Sequence, residues 1–204
     1  MSSPKSVGDQ LSRADGTRAR LLQAAVAAFA AKGFHGTTTR DIASAAGMSP
    51  AALYVHHKTK EELLYQISSA GHAATLDLVR SARASASDPA GQLAAVVRQF
   101  AEHHAREHTT ARVVNYELAA LTPEHLAEIL QSRRAIAGEI RSLIDDGVAA
   151  GLFRTSDPAM AATALLSLGI DIARWYNDEG AWSPEAVGDF YADLALRMVG
   201  ASRS

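Results

Sequence analysis

The chain has 204 residues, of which 48% are hydrophobic, so it is long enough to bury a large core in one domain or two. It contains no cysteine, which excludes disulfide bonds, thiolate metal sites and thiol redox sensors. The formal net charge is −2, but residues 1–60 hold eight Lys and Arg against three Asp. This segment therefore carries +5 and the remainder −7, a split that favours nucleic-acid binding unless the asymmetry is accidental.

The first residues, 1–14, are polar and lack an apolar core, so they are predicted to form a disordered arm rather than a secretion signal. No run of about eighteen apolar residues occurs anywhere, and a transmembrane helix is therefore not expected. These features predict a soluble, cytoplasmic protein without a membrane partner.

Two short helices separated by a turn are predicted between residues 38 and 60. Thr38 stands three residues before Asp41, which is a capping pair for a helix start. Gly47 ends that helix, because glycine adopts the left-handed conformation of a helix C-terminus without steric cost. Ser49 and Pro50 then begin the next helix at once, since serine favours the N-cap and proline the first helical position. This arrangement is typical of a helix-turn-helix.

These residues resemble the tetracycline-repressor (TetR) family, and the resemblance runs from about residue 18 to residue 64. Leu22, Ala25 and Phe29 form one face of a preceding helix that fits the same pattern. The chain departs from the family at His57, where Phe is usual, and at Val55, where an aromatic residue is common. The motifs that carry the resemblance are TRDIA at 39–43, AGMS at 46–49, LYVH at 53–56 and KTKEEL at 58–63.

The remaining chain is also predicted to be helical. Five of the six prolines follow a capping residue and so mark helix starts, and no stretch alternates in the way that strands do. We expect an all-α fold of about nine helices. Three helices form an N-terminal helix-turn-helix DNA-binding domain over residues 15–58, and six form a C-terminal ligand-binding and dimerisation domain over residues 59–204.

The resemblance implies which residues meet DNA. Arg40 is the best candidate to reach a base or a phosphate, and Tyr54 and Lys60 are expected on phosphates. The recognition helix has no Arg, Gln or Asn, so direct readout there relies on apolar contact with thymine methyl groups. A solvated or capping role is the alternative for each residue. The predicted DNA-binding set is Thr38, Thr39, Arg40, Ser49, Pro50, Ala51, Ala52, Tyr54, Val55, His56, Lys58 and Lys60.

The last two helices carry apolar residues at steps of three and four, which is typical of an amphipathic face. We expect these faces to form a four-helix bundle with a second copy, as the resemblance also implies; packing within the monomer is the alternative. A two-fold dimer would read both halves of a palindrome. The predicted interface set is Leu165, Leu168, Ile172, Val187, Phe190, Tyr191, Leu194 and Met198.

The second domain is expected to bind a small, largely apolar effector, because aromatic residues there are mixed with a few polar ones. A role in the core is the alternative for these aromatics. Residues 174–191 resemble regulators that respond to CoA thioesters of fatty acids or steroids, and this implies that Arg112, Arg133, Arg134 or Arg174 meets acidic groups of the ligand. The predicted ligand-binding set is Arg112, Asn115, Tyr116, Arg133, Arg174, Trp175 and Tyr176.

His103, His104 and His108 have spacing that a metal site could use, but a solvated, pH-responsive helix end is favoured over a metal site. No catalytic motif is present, so we expect neither an enzyme nor a cofactor. The sequence thus predicts a dimeric repressor that binds a palindromic DNA operator and is released by its effector. A protein-interaction adaptor, a corepressor-dependent regulator and an activator are the alternatives.

Overall fold

A computed structural model describes the backbone of residues 7–201 and the side chains of residues 16–201 other than His56. Over these residues the chain forms nine α-helices and one 3-10 turn, with no β-strand, which confirms the all-α prediction. None of these helices is apolar over a length sufficient to traverse a lipid bilayer. The helices are α1 (Val7–Gly36), α2 (Thr39–Ala45), α3 (Pro50–His56), α4 (Lys60–Ala84), α5 (Pro89–Arg106), α6 (His108–Tyr116), α7 (Pro123–Ala149), α8 (Pro158–Trp175) and α9 (Pro184–Met198), and the 3-10 turn is Leu118–Ala120.

The helix starts follow the capping chemistry of the sequence. Helices α3, α5, α7, α8 and α9 each begin at a proline, and in each the preceding Ser, Asp or Thr side chain accepts a hydrogen bond from a backbone N–H of the first turn. The start of α4 is capped in the same way by Thr59, whose hydroxyl accepts from the N–H of Glu62. Each predicted proline start is therefore confirmed.

The N-terminal end differs from the expected arm. Residues 1–6 lie outside the described residues, but residues 7–14 already belong to α1. This stretch contains no proline, so nothing in it prevents the helix from extending towards the N-terminus. Near the other end of α1, Gly33 has φ +69° and turns the chain out of the regular helix towards α2. The division into residues 1–14, 15–58 and 59–204 stays a prediction.

A first apolar cluster, which we call the headpiece core, holds α1, α2 and α3 together. Leu21, Phe29, Ile42 and Leu53 are fully or almost fully buried in it. The same cluster continues beyond α3 into later parts of the chain, so the three helices do not form a closed unit. The residues added from there are Leu63, Leu64, Ile67, Val113, Val114, Leu121 and Ile129.

A second cluster forms the body, with α5 at its centre. Helix α8 packs against α5 so closely that a Cβ at Gly169 would lie 2.6 Å from the ring of Phe100. Helix α9 approaches α5 from another side, and a Cβ at Gly188 would lie 3.0 Å from the carbonyl oxygen of Arg98. Two glycines thus allow close helix crossings that larger residues would block.

Candidate DNA-binding surface and effector cavity

The start of α2 is held by a complete capping box. The hydroxyl of Thr38 accepts from the N–H of Asp41 at 3.1 Å, and the Asp41 carboxylate accepts from the N–H of Thr38 at 2.9 Å. Hydrogen bonds from the Thr38 hydroxyl and backbone, and then from Lys32, lower the pKa of Asp41 to about 2. The carboxylate is therefore charged at neutral pH, and it holds in place the helix start that carries Thr39 and Arg40.

Helix α3 presents a small apolar surface outward. Ser49 caps it by accepting from the N–H of Ala52 at 3.2 Å, and Leu53 points into the headpiece core. On the other side Tyr54 is 52% exposed and Val55 is 81% exposed. An exposed valine beside an exposed phenol suits contact with thymine methyl groups and a phosphate, respectively.

Helices α2 and α3 are joined on their exposed side. The hydroxyl oxygens of Thr39 and Tyr54 lie 3.1 Å apart, which is hydrogen-bonding distance. Arg40 is exposed and forms no ion pair with the described residues, and Pro50 and Ala51 are exposed at the start of α3. The structure therefore brings the predicted DNA-binding residues of both helices onto one surface, although the DNA contacts themselves stay a prediction.

Three predicted or unusual positions lie at the end of α3 and immediately after it. The side chain of His56 lies outside the described residues. His57, which stands where the family usually has Phe, is buried with 1% of its surface exposed. Lys58 is exposed, and its backbone N–H donates to the Glu62 carboxylate at 2.9 Å.

Lys60 has a structural role that the sequence did not predict. Its ammonium group donates to the carbonyl oxygens of Phe34 at 2.7 Å and Thr37 at 2.8 Å. It also lies 4.3 Å from the centroid of the Phe34 ring. Two of its three donors are thus used to join the start of α4 to the connection between α1 and α2, and at most one is left for a phosphate.

A cavity of about 320 Å³, the candidate effector cavity, lies in the body and is bordered by α4, α5, α6, α7 and α8. Its wall is mainly apolar, as in most small-molecule sites. The polar groups come from a few side chains on several different helices. The lining residues are His72, Thr75, Phe100, His104, Val114, Asn115, Leu130, Arg133, Arg134, Ile136, Ala137, Thr163, Leu166, Ser167 and Ile170.

A polar network crosses this cavity. Nη1 of Arg133 donates to Oδ1 of Asn115 at 2.9 Å and lies 3.5 Å from Nε2 of His72. Nδ1 of His72 is 2.8 Å from the carbonyl oxygen of Ser68. A carbonyl only accepts, so this nitrogen carries the proton, and Nε2 offers its lone pair to Arg133 when the ring is neutral. Of the predicted ligand-binding set, Asn115 and Arg133 line the cavity, and their contact with a ligand stays a prediction.

Both cavity histidines are held in the neutral form. Burial lowers the pKa of His104 to about 4, although a hydrogen bond from its ring to the carbonyl of Phe100 opposes the shift. Burial also lowers the pKa of His72, and Arg133 contributes in the same direction. His104 is only 3% exposed, so its assignment to a solvated helix end was wrong. The residue faces inward because α5 is covered on that side by α7 and α8.

The other predicted ligand-binding residues lie outside the cavity. Arg112, Tyr116 and Arg174 border a separate cleft beside the end of α1, where Nη2 of Arg112 donates to the carbonyl of Ala30 at 3.0 Å. They project from the sides of α6 and α8 that face α1, and their contact with a ligand stays a prediction.

Trp175 and Tyr176 also lie elsewhere. Trp175 is partly exposed at the end of α8, 6.3 Å from the ring of Trp182. Tyr176 is buried in a small cluster with Ile172 and Val187 that connects α8 and α9 to α5. The alternative that these aromatics serve packing rather than ligand contact is the better description of Tyr176. Neither residue borders the effector cavity.

The predicted association surface is only partly on the outside of the protein. Leu165, Ile172 and Val187 are buried within the protomer, so their assignment to that surface is corrected. These three face α5 because each helix is apolar on more than one side. Leu168 and Phe190 are exposed, and Tyr191, Leu194 and Met198 are half-buried. The exposed apolar surface, which we call the α8–α9 stripe, comprises Met160, Leu168, Trp175, Trp182 and Phe190.

Sequence reasoning missed most of the cavity wall. The sequence analysis assigned no site to His72, Thr75 or Phe100. The residues next to them in the sequence do not indicate that these side chains border a cavity. No group of three His, Asp or Glu side chains that could hold a metal ion occurs in the part of the chain that the structure describes.

Comparison with known proteins assigns the chain to a family. A family model for "Tetracyclin repressor-like, C-terminal domain" matches residues 86–199, and one for "Bacterial regulatory proteins, tetR family" matches residues 21–67. The HTH-type transcriptional repressor KstR2 of Rhodococcus jostii is 28% identical over 190 residues, which are 92% of this chain and 93% of that protein. The HTH-type transcriptional activator FasR of Mycolicibacterium smegmatis is 28% identical over 175 residues, covering 84% and 77% of the two chains.

A solved structure agrees with these relatives. The crystal structure of a bacterial regulatory protein in the tetR family from Rhodococcus RHA1 is 41% identical, covers 92% of this chain and 98% of that chain, and superposes with a TM-score of 0.87. These relatives are transcriptional regulators, not enzymes. The chain belongs to the TetR family of helix-turn-helix transcriptional regulators.

Proposed function

We propose that this protein is a dimeric repressor that binds a palindromic operator and is released by a small, largely apolar effector. One observation carries the proposal: the side chain of Val114 packs in the headpiece core and also lines the effector cavity. A ligand that displaces the cavity wall therefore acts directly on residues that support the DNA-binding helices.

Helix α6 is the proposed connection between the two sites. Asn115 lies in the cavity beside Arg133, and Arg112, on the same short helix, donates to the end of α1. Helix α6 also crosses α4 closely, since a Cβ at Gly71 would lie 2.9 Å from Val114. Because interiors are densely packed, a shift of α6 by a fraction of an ångström must move α1 or α4.

Helix α4 provides a second connection. It contributes His72 to the cavity wall. Twelve residues earlier it carries Lys60, whose ammonium group donates hydrogen bonds to the connection between α1 and α2. If the effector favours one position of α4 and the operator favours another, each ligand weakens binding of the other by the same coupling free energy. The same parts would serve corepression or activation if the preference were reversed.

The proposed dimer uses the α8–α9 stripe. Phe190 is 67% exposed and Trp182 is 64% exposed, and both border one depression with Trp175; exposed apolar residues grouped in this way mark association surfaces. A two-fold dimer would place two copies of the surface around Arg40 and Tyr54 on successive major grooves about one duplex turn apart. Since the proposed operator is chromosomal DNA, we place the protein in the cytoplasm.

The effector class follows from the cavity wall, which is mainly apolar. The resemblance of residues 174–191 to regulators of CoA thioesters makes an acyl thioester one candidate. Its acyl part would enter the cavity, and its nucleotide would remain outside, because about 320 Å³ does not hold a whole CoA thioester.

Operator selection from random DNA, followed by footprinting, tests the proposal. We expect protection of a palindrome and a mass in solution of twice 21.5 kDa. Phe190→Asp should abolish the dimer and weaken palindrome binding at least tenfold, whereas Ala74→Asp, which adds the same charge at an exposed site of α4, should do neither. A monomer that protects a single asymmetric site, or no specific protection at all, would contradict the proposal.

A further inference from the structure

The guanidinium of Arg133, which forms part of the cavity wall, has an edge that its neighbours do not use. Nη1 is bonded to Asn115 and lies near His72, but Nε and Nη2 form no hydrogen bond with the described residues. None of the ion pairs within 4.0 Å formed by the described side chains includes Arg133. The Nε and Nη2 donors of arginine are parallel and match the two oxygens of a carboxylate.

The surroundings of this cation do not compensate its charge. Burial of the half-exposed guanidinium lowers the pKa of Arg133, although Tyr116 opposes the shift. The two histidines of the cavity wall have lowered pKa values and are neutral at pH 7, so they add no further positive charge beside Arg133. A half-buried cation without an anion is costly, and a ligand that brings a negative charge to it recovers part of that cost.

The orientation of the unused edge is fixed by its neighbours. Asn115 accepts from Nη1 at 2.9 Å, and Asn115 in turn donates to the carbonyl of Ala111 on its own helix at 2.9 Å. This support holds the planar group in one position, so that a ligand does not have to order it. The apolar side chains of Phe100, Leu130 and Leu166 form other parts of the same wall.

We propose that the effector is a small apolar carboxylic acid, bound as its carboxylate on Nε and Nη2 of Arg133 with its hydrocarbon part against the apolar wall. This inference rests on the proposed function, because it specifies the effector of the same cavity. The volume of about 320 Å³ is at the lower end of the range for ligand sites and suits an acid of medium chain length. An acyl-CoA would place a neutral thioester carbonyl beside Arg133 and leave its charge uncompensated.

Three matched probes test this inference by calorimetric titration of the full-length protein. Octanoate carries the carboxylate, octanamide is a neutral ligand of the same shape, and octanoyl-CoA carries the same chain as a thioester. We expect octanoate to bind at least tenfold more tightly than either of the others. Operator binding is measured first without ligand and then with octanoate. We expect octanoate to weaken it.

Arg133→Met provides the decisive variant, since it keeps much of the length of the side chain and removes the charge. We expect it to lose the preference for octanoate and to bind octanamide at least as tightly as the wild type does, which also shows that it is folded. Arg141→Met, at an exposed arginine of α7 that does not line the cavity, should keep the preference. Equal or weaker binding of octanoate relative to a neutral probe, no binding of octanoate, or a preference that survives in Arg133→Met would each overturn the inference. Failure of specific operator binding without ligand would instead refute the proposed function.

Discussion

Replacing Lys60 by Met separates a positioning role from a phosphate contact. The ammonium group forms two hydrogen bonds to backbone carbonyls, at 2.7 Å to Phe34 and 2.8 Å to Thr37, and lies over the Phe34 ring. Met keeps most of the apolar stem but has no donor. The change therefore leaves both carbonyls without their charged partner and releases α4 from the connection between α1 and α2.

The expected decrease in stability follows from these interactions. A hydrogen bond to a charged group contributes about 1.5 to 3 kcal/mol, and a cation over an aromatic ring adds about 0.5 to 1 kcal/mol at an accessible site. Lys60 is half-buried, so water replaces part of this stabilisation in the variant. We expect the free energy of unfolding to fall by about 2 to 4 kcal/mol. The salt dependence of operator binding should not change.

Urea denaturation and operator titrations at about 50 to 200 mM salt measure the two quantities. Lys58→Met is the matched control, because Lys58 is exposed and its side chain has no hydrogen bond to the described residues. This control should keep its stability and reduce the slope of log affinity against log salt by about 0.9 for each phosphate that the lysine neutralises. If Lys60→Met behaved in that way instead, with unchanged stability, Lys60 would be a phosphate contact and our reasoning would be refuted.

Three further substitutions address the operator, the core and the cavity. Arg40→Ala should weaken operator binding by about 1 to 3 kcal/mol in a gel-shift titration and leave the circular dichroism spectrum unchanged; an unaltered affinity would remove Arg40 from the DNA-binding set. Ser68→Ala should raise the melting temperature by about 2 to 4 °C, because the buried Ser68 hydroxyl has no hydrogen-bond partner among the described residues, and a lower melting temperature would show that it has one. The pKa of His104 is about 4 in the folded protein and near 6.5 in the unfolded chain, so the unfolded state takes up the proton first as the pH falls. The contribution of His104 to stability is therefore greatest above pH 6.5, and about 2 kcal/mol of it should be lost between pH 7 and pH 5 in urea denaturation. His104→Gln should be less sensitive over this range, and an equal decrease in that variant would place the effect elsewhere.

The local parts of the fold could be predicted because their chemistry is local. A capping side chain and its N–H partner are two or three residues apart, so Thr38 with Asp41 and Ser49 with Pro50 define helix starts without knowledge of the rest of the chain. The helix count and the helix-turn-helix follow from such pairs.

The association surface and the cavity depend on tertiary packing. Apolar periodicity shows which side of α8 avoids water, but it does not distinguish α5 from a second protomer as the covering element. Leu165 and Ile172 were misassigned for this reason. Similarly, Arg112 and Arg133 look alike in the sequence, and only the packing of α6 and α7 places one against α1 and the other in the cavity.

The continuity of the headpiece core limits how this regulator can be recombined with others. Its DNA-binding helices share buried contacts with Leu64 and Ile67 of α4 and with Val113 of α6. A fragment that ends at residue 58 would expose this apolar surface to water and lack the partners that fill the core. A chimaera with a foreign effector domain must therefore keep α4 to beyond Ile67. It must also supply a surface that packs against the DNA-binding helices as α6 does, because the two domains share one core.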